Sequence, residues 1–321
     1  MLFWVYVVLL TFIVSTFSFF LVHSVLWFFR SLFDVLKNGR ASSPRPGVPV
    51  FERFSSFHRI GHAIMLCSFL GLALTGLPLK YSSYEWAHAL ANLLGGFEST
   101  GTWHRFFGLI NIGCLAVYVG FFLRQIARGL RRGKGLTSLI FGPDSPVPNR
   151  RDVRDCFEMI RWFVGLGPKP TFERWTYWEK YDFWGACGDI AVIGFTGLVL
   201  WFPNAFCAYL PGEVLNIAKV IHSTQAFLAT GFVFAIHFFN THLRPEKFPM
   251  DMSVLTGLVS EEEFREERGD YYERLRREGA LEPLKANAPS RNRLALTALG
   301  GALALATGLG LLVGILMPLF K

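Results

Sequence analysis

The sequence has few charged residues and no clustered cysteines. Only 17% of its 321 residues are charged, whereas 52% are hydrophobic and the mean hydropathy is +0.35. This composition excludes an ordinary soluble enzyme. The five cysteines form neither a CxxC pair nor a CxxCH motif, which excludes covalent c-type haem attachment and a thiolate iron–sulfur cluster within this chain.

The apolar residues are concentrated in long uncharged runs. A helix needs about 20 such residues to cross the hydrocarbon layer, and the sequence predicts six spans, at 1–29, 62–79, 106–123, 183–202, 220–241 and 294–320. The first run lacks a basic start and a small-residue cleavage site, so it is predicted to be a span rather than a signal peptide.

The net charge of +8 is distributed unevenly between the two sides that six spans would create. Of the 32 Lys and Arg residues, 28 lie with the first, third and fifth connections; the four on the other side are Lys80, Arg105, Lys219 and Lys321. By the positive-inside rule, the basic side is cytoplasmic and both termini face outward. No recognition motif accompanies the charge, so we expect no nucleic-acid partner.

These patterns predict an all-α integral membrane helical bundle with a four-helix core and one extra helix at each end. The predicted divisions are an extra span at 1–30, a cytoplasmic connector at 31–57, the core at 58–243 with a cytoplasmic loop at 126–180, a cytoplasmic segment at 244–292, and an extra span at 293–321. Within them, 260–277 (SEEEFREERGDYYERLRR) predicts a solvated helix, and 82–94 predicts a short interfacial helix.

Histidines are the candidate cofactor ligands, because an imidazole inside a bilayer is costly without a partner. Alternating topology places His62 and His237 near the cytoplasmic side, and His104 and His222 near the outer side. This arrangement gives two pairs at two depths. Two bis-histidine haems would fit such pairs, since low-spin haem that carries electrons needs no open iron position. The alternative is that these are ordinary polar residues in helix contacts.

The helix that carries His222 and His237 sets the distance between the two predicted haems. Fifteen residues correspond to roughly 22 Å along a straight α-helix and to four turns plus roughly 60°. Both rings can therefore face one interior, and nearby glycines would let a flat porphyrin approach the backbone. His58 could approach a propionate or a quinone, or lie among head groups. His23 lacks an identifiable partner for a third haem, and His88 and His242 are predicted to be interfacial.

Four motifs resemble the cytochrome b (gamma) subunit of respiratory formate dehydrogenases and its relatives in thiosulfate reductases and nickel–iron hydrogenases. They are RIGHAIMLCSFLGLALTGLP, GTWHRFFG, KYDFWGACGDIAVIGFTGLVLWFP and VIHSTQAF followed by IH, and together they cover about 54–242. The resemblance implies two b-type haems. It pairs His62 with His237 around a cytoplasmic-side haem and His104 with His222 around an outer-side haem.

The same resemblance implies a quinone pocket near the cytoplasmic-side haem. The family has a Y-N-x-x-Q-K-like run there, and the matching segment WTYWEKYDFW places Thr176, Glu179 and Lys180 at those polar positions. Two of the three depart from the family pattern. Glu179 could accept or release the quinone proton; alternatively, the segment is simply a charged start of a helix.

Three further charged residues are candidates near these sites. Asp189 is predicted to be the one acid inside a span; it would line a proton or water route to the quinone pocket, or form a structural bond to a neighbouring helix. Arg59 and Arg105 lie beside the ligand-bearing helix starts, where they could meet haem propionates, although any juxtamembrane Arg would lie similarly.

The extra end helices depart from the formate dehydrogenase subunit. Larger b-type cytochromes that exchange electrons between menaquinol and periplasmic multihaem c-type cytochromes resemble this architecture more closely. We therefore expect a bacterial inner-membrane, quinone-reactive oxidoreductase subunit that contacts lipid. It would pass electrons between a quinone, which this resemblance implies is menaquinone, and a periplasmic redox subunit. That partner would be an iron–sulfur protein or a multihaem c-type cytochrome. The alternatives are a haem-free membrane anchor or transporter, and a self-contained transmembrane reductase.

Overall fold

Long helices make up most of the chain in the computed structural model, which describes residues 2–39, 44 and 47–316. The elements in chain order are α1 (Leu2–Asn38), β1 (Val50–Glu52), α2 (Ser56–Lys80), α3 (Glu85–Leu93), α4 (Phe97–Arg131), α5 (Leu136–Phe141), α6 (Arg150–Phe163), α7 (Tyr177–Trp201), α8 (Pro203–Cys207), α9 (Glu213–Phe232), α10 (Ser253–Thr256), β2 (Leu258–Ser260), α11 (Glu261–Arg277), β3 (Lys285–Ala286) and α12 (Arg291–Leu316). Two π-helical segments, Val233–His237 and Phe239–Leu243, continue α9.

The six predicted spans are confirmed as helices, and so is the all-α class. Six described helices are long and apolar enough to cross a membrane: α1, α2, α4, α7, α9 with its π-helical continuation, and α12. The four core helices begin six to nine residues before their apolar runs, because polar first turns can form helix outside the hydrocarbon. Residues 1 and 317–321 of the end spans, and 40–43, 45 and 46 of the connector, lie outside the described residues.

The bundle is arranged around helices α2, α4, α7 and α9. Helix α2 packs along α4, α7 packs along α9, and α4 also contacts α7. Helix α1 joins the bundle against α9, whereas α12 packs against α2 and the first π-helical segment. Many apolar side chains on the outer surface are exposed, among them Leu109 and Val117 of α4 and Leu303 of α12. A surface of this kind suits contact with lipid.

A small antiparallel sheet joins chain segments that are distant in sequence. Its strand order is β2-β1-β3, with Phe51 of β1 paired with Val259 of β2 and with Lys285 of β3. The connection after α1 and the segment after α9 therefore meet at one end of the bundle. The connection between α4 and α7 also packs there, through ion pairs such as Arg274 with Glu173. We call residues 47–55, 132–176 and 244–290 together the polar cap.

The polar cap has its own apolar core, which includes one face of α11. The core consists of Phe51, Val259, Phe264, Tyr271, Tyr272, Leu275 and Leu281. The expectation that 260–277 is helical is confirmed, with Ser260 capping its first turn. The expectation that this helix is wholly solvated is wrong, because the aromatic residues within its charged pattern are buried.

Buried ion pairs hold the 244–290 segment of the polar cap together. The Lys247 ammonium contacts Glu263 closely and lies 3.3 Å from both Asp251 and Glu267, and Glu267 also accepts a 2.8 Å hydrogen bond from Arg244. Burial alone would raise the pKa of Glu267, but Lys247 and the neighbouring arginines hold it well below its usual value. The Glu267 carboxylate is therefore charged at neutral pH, whereas burial raises the pKa of Glu263 in the same network.

Aromatic packing holds α1 against the bundle and the polar cap. The cluster consists of Trp27, Met159, Trp162, Phe163, Phe172, Trp178 and Phe239. The Arg244 guanidinium lies 4.4 Å from the ring centre of Trp27, and the Trp27 indole N–H donates to Glu246. Arg244 also pairs with Glu267, so it links α1 to the ion pairs of the cap. Cation–π contacts of this kind strengthen when they are desolvated.

Removing the Lys247 charge should loosen the polar cap. In Lys247→Met, three buried carboxylates lose their shared cation, and we expect a cost of about 3 kcal/mol. Hydrogen exchange of cap amides, which measures local opening, should then accelerate roughly 100-fold. The matched control is Arg276→Met on α11, whose ion pair with Glu273 is exposed and should contribute less than about 1 kcal/mol. Equal exchange in the two variants would contradict the assigned role of this network.

Candidate functional site

Two pairs of imidazoles face each other across the core helices. His62 of α2 and His237 of the first π-helical segment have ring centroids 6.4 Å apart, with the ring planes inclined by 32°. His104 of α4 and His222 of α9 have centroids 6.2 Å apart, with the planes inclined by 77°. The structure therefore brings together the same pairs that the sequence predicts.

These separations suit a metal ion held between the rings. A metal–imidazole bond is about 2 Å long, and the ring centre lies about 1 Å beyond the bonded nitrogen, so two axial imidazoles require centroids about 6 Å apart. Direct stacking or hydrogen bonding between the rings would bring their centroids closer. The residues of both pairs thus fit haem ligation.

Hydrogen bonds to the Nδ1 atoms determine which nitrogen of each ring carries the proton. His222 Nδ1–H donates to the Ile193 carbonyl at 3.0 Å. The Thr75 hydroxyl donates to the Gly71 carbonyl, so its oxygen accepts from His104 Nδ1–H at 3.0 Å. In a neutral ring whose Nδ1 is protonated, Nε2 has a free lone pair for a metal.

The pair formed by His62 and His237 differs from the other pair in the surroundings of its Nδ1 atoms. His237 Nδ1–H donates to the Asp182 carboxylate at 3.2 Å. The Nδ1 of His62 is buried and has no hydrogen-bond partner among the described residues. Three of the four rings are therefore oriented by a hydrogen bond from another helix, and one of these bonds goes to a charged group.

The π-helical turns change the geometry expected for α9. A π turn contains more residues than an α turn, so His237 is rotated less relative to His222 than the roughly 60° offset calculated for a straight α-helix. The rings therefore lie closer to a common face than the sequence predicts. π-helical turns are frequent at functional sites, and this one carries a proposed ligand.

Glycines bring the helices close to the second pair. A Cβ atom on Gly76 would lie 3.0 Å from His104 Cε1, and one on Gly197 would lie 3.1 Å from His222 Cε1. Each imidazole thus packs against a glycine of the adjacent helix. The expected access for a porphyrin at other glycines is not uniform: Tyr118 occupies the space beside Gly61, and Phe107 occupies that beside Gly71.

A cavity of about 1110 Å³ adjoins the first pair. Its walls include His62 and His237 but neither histidine of the second pair. All core helices contribute residues to it, and so do the two end helices through Phe12 and Thr16 of α1 and Gly301 and Ala304 of α12. Ligand pockets usually measure about 300–1,000 Å³, so this space is large enough for a cofactor and part of a second molecule.

The three predicted quinone contacts lie in different environments. Thr176 is fully buried, caps α7 by accepting from the Glu179 amide, and does not line the cavity. Glu179 lines the cavity and pairs with Arg53 at 3.1 Å and Arg268 at 2.8 Å. Lys180 also lines it and pairs with Asp152 at 2.9 Å. The segment is therefore partly a helix start, as the alternative interpretation held, and partly cavity wall.

Asp189 bonds to a neighbouring helix, which is one of the two roles considered from the sequence. Its carboxylate accepts a short hydrogen bond from Gln225 of α9, and it lines the cavity. The expectation that it is the one acid within a span is wrong. Helix α7 begins at Tyr177, so Asp182 also lies within this helix, seven residues earlier and on the same face.

The two arginines proposed for haem propionates have contacts of their own in the protein. Arg59 donates to the Thr256 carbonyl at 2.9 Å and to Ser56, and it does not line the cavity. Arg105 lies 5.7 Å from the ring centre of Trp201. Neither arginine forms a hydrogen bond with a proposed ligand among the described residues. The space beside the first pair is lined by other basic residues, among them Arg128 and Arg174.

The remaining histidines have distinct surroundings. His23 is buried among aromatic rings and forms a 2.5 Å hydrogen bond with the Tyr177 hydroxyl. His58 lines the cavity and bonds to Ser55. His88 packs against Phe97. His242, near the end of the fifth span, is buried beside Phe238 and lines the cavity.

Reasoning from the sequence missed the partners of the Nδ1 atoms. Asp182 falls just before the apolar run used to place the fourth span, and Thr75 resembles any other small polar residue in a helix. The carbonyl of Ile193 carries no sequence signal. An acid one turn inside a helix start, opposite a proposed ligand, was the one usable clue.

Comparison with known proteins provides a family for this arrangement. Residues 53–243, more than half of the chain, match the family described as prokaryotic cytochrome b561. A search of curated proteins returned no match. This family is that of the hydrogenase and formate dehydrogenase cytochromes b, so the resemblance stated from the sequence is confirmed. The chain belongs to the prokaryotic cytochrome b561 family, whose members are membrane proteins that bind b-type haem and transfer electrons.

Proposed function

We propose that the chain is a membrane subunit that holds two b-type haems and transfers electrons between a quinone and a redox partner at the opposite end of the bundle. The observation that carries this proposal is the presence of two imidazole pairs with ring centroids 6.4 and 6.2 Å apart. His62 and His237 would hold one haem, and His104 and His222 the other. Bound haem would supply reversible one-electron transfer.

The protein's own contribution is ligand orientation and exclusion of water. Thr75 and the Ile193 carbonyl bond the Nδ1 atoms of His104 and His222, which leaves the Nε2 atoms of this pair free for a metal. Asp182 does the same for His237. A haem-free anchor or transporter, considered from the sequence, is not supported, since the family binds haem b.

The quinone would occupy the part of the cavity beside Glu179, Lys180 and Asp189. All three line it, and Asp189 and Glu179 are the acids that could exchange protons with a quinone oxygen. Thr176 supports this wall only indirectly, as the cap of α7. Menaquinone remains our proposal for the quinone, on the grounds of the architectural resemblance stated above.

The distribution of basic residues supports an orientation in the bacterial inner membrane. The ends of the bundle differ in Lys and Arg content, and the polar cap contains most of these residues. We place the cap in the cytoplasm and both termini in the periplasm. The His104–His222 pair then lies near the periplasmic surface, where an iron–sulfur protein or a multihaem c-type cytochrome would exchange electrons with it. Arg105 lies at that end and is available for a propionate of that haem. Arg59 of α2 would serve a propionate of the cavity-side haem while it contacts the cap through the Thr256 carbonyl.

Substituting the paired histidines should remove haems one at a time. His62→Ala or His237→Ala should leave one haem per chain, held by the second pair, and His104→Ala or His222→Ala should leave the other. Pyridine haemochrome analysis of purified protein measures this stoichiometry. The control is His88→Ala on α3, which belongs to neither pair and should retain both haems. If any of the four variants retained both, the assignment of its pair would be wrong.

Replacing Asp189 with Asn should slow electron entry from quinol without removing haem. Asparagine can keep the contact with Gln225 but cannot take a proton, and loss of such a group costs roughly 100-fold or more in rate. Stopped-flow reduction by a menaquinol analogue should show this loss, while dithionite should reduce both haems normally. Glu98→Gln, an exposed acid outside the cavity, is the control. Wild-type quinol kinetics in Asp189→Asn would argue against a proton role for this residue.

A further inference from the structure

The two imidazole pairs differ in charge at their outer edges. We propose that Asp182 is a positioning residue that fixes the His237 ring and lowers the affinity of the cavity-side haem for an electron, so that electrons favour the His104–His222 haem. This inference rests on the proposed function, because it assumes that both pairs hold haem.

Direct contact supports the positioning role. Asp182 lies in the second turn of α7, and its Oδ2 atom is 3.2 Å from His237 Nδ1. Its Oδ1 atom is buried without a hydrogen-bond partner among the described residues. The carboxylate therefore has His237 as its one hydrogen-bonding neighbour in the described part of the chain, and its charge is not dispersed into a wider network.

Neighbouring charged residues are engaged elsewhere. Glu179 is paired with two arginines, Lys180 is paired with Asp152, and Asp189 accepts from Gln225. Of the acids that line this part of the cavity, Asp182 is the one whose hydrogen bond reaches a proposed iron ligand. Substituting it would therefore change the ligand's environment while leaving these ion pairs intact.

The second pair provides an internal comparison. The Nδ1–H groups of His104 and His222 donate to neutral acceptors, the Thr75 hydroxyl and the Ile193 carbonyl. A neutral acceptor orients the ring but adds no net charge. A carboxylate additionally draws the Nδ1 proton toward itself, which makes the imidazole a stronger electron donor at Nε2. The ring bonded to Asp182 thus favours the more positive, oxidised iron.

The nearby negative charge acts in the same direction. A carboxylate in a partly buried, low-dielectric site opposes the addition of an electron more strongly than the same group would in water. Second-shell hydrogen bonds and burial are among the levers by which proteins set haem potentials. The asymmetry between a charged and a neutral acceptor therefore directs electrons from the cavity toward the opposite end of the bundle. This direction corresponds to oxidation of a quinol in the cavity.

The experiment is a redox titration of the purified holoprotein and of Asp182→Asn, followed by visible absorption of both haems. Asparagine preserves an oxygen acceptor for His237 Nδ1–H but removes the charge. We expect one haem to bind its electron at least tenfold more tightly, an upward shift of about 59 mV for a one-electron couple, and the other haem to be unchanged. The low-spin electron paramagnetic resonance signal of the same haem should shift as well.

Two further variants assign the effect. In His104→Ala, where the proposed function leaves only the cavity-side haem, adding Asp182→Asn should move the single remaining potential. Asp182→Glu, which restores a carboxylate, should return the potential toward that of the unsubstituted protein. If Asp182→Asn loses a haem, its recovery in Asp182→Glu supports the positioning role, whereas loss in both variants overturns it.

Unchanged potentials in Asp182→Asn with both haems present would also overturn the inference, as would a shift confined to the His104–His222 haem. These results differ from failure of the proposed function. In that case, the unsubstituted protein would lack two haems, or the histidine variants would retain both, before Asp182 is tested at all.

Discussion

The structure depends on how half-buried imidazoles satisfy their second nitrogen. A proposed ligand keeps Nε2 free, and three of the four bond their Nδ1–H to another helix, because an unpaired polar group in a membrane interior is costly. The acceptors come from α2 for His104 and from α7 for His222 and His237. Pairing of α2 with α4, and of α7 with α9, therefore serves the site as much as it serves packing.

The end helices and the polar cap together surround the cavity beside the first imidazole pair. Helix α1 and helix α12 supply walls of the cavity, and the aromatic cluster around Trp27 connects α1 to α6 and α7. Arg244 joins this cluster to the buried ion pairs that follow α9. The segments outside the family match thus enclose the space beside the first imidazole pair rather than merely extending the chain.

The sequence predicts the spans and the histidine pairs because hydrophobic length and alternating topology are local properties. It could not predict the sheet of β1, β2 and β3, whose strands are two or three residues long, because β1 lies more than 200 residues before both of its partners. The burial of α11 was hidden because its charges pair with distant residues, as Arg268 does with Glu179. The contact of Arg59 with the Thr256 carbonyl was hidden for the same reason, since Thr256 lies almost 200 residues later in the chain.

The π-helical continuation of α9 ties the register of the ligand to the anchoring of the cap. Deleting a single residue from the α-helical stretch between His222 and the π-helical turns would rotate everything beyond by about 100° relative to His222. Arg244 follows Leu243 immediately and would lose its alignment with Glu267. This stretch therefore tolerates exchanges of side chains far better than changes in length, and relatives that bind the same cofactor with a shorter fifth span would need a different attachment for everything that comes after it.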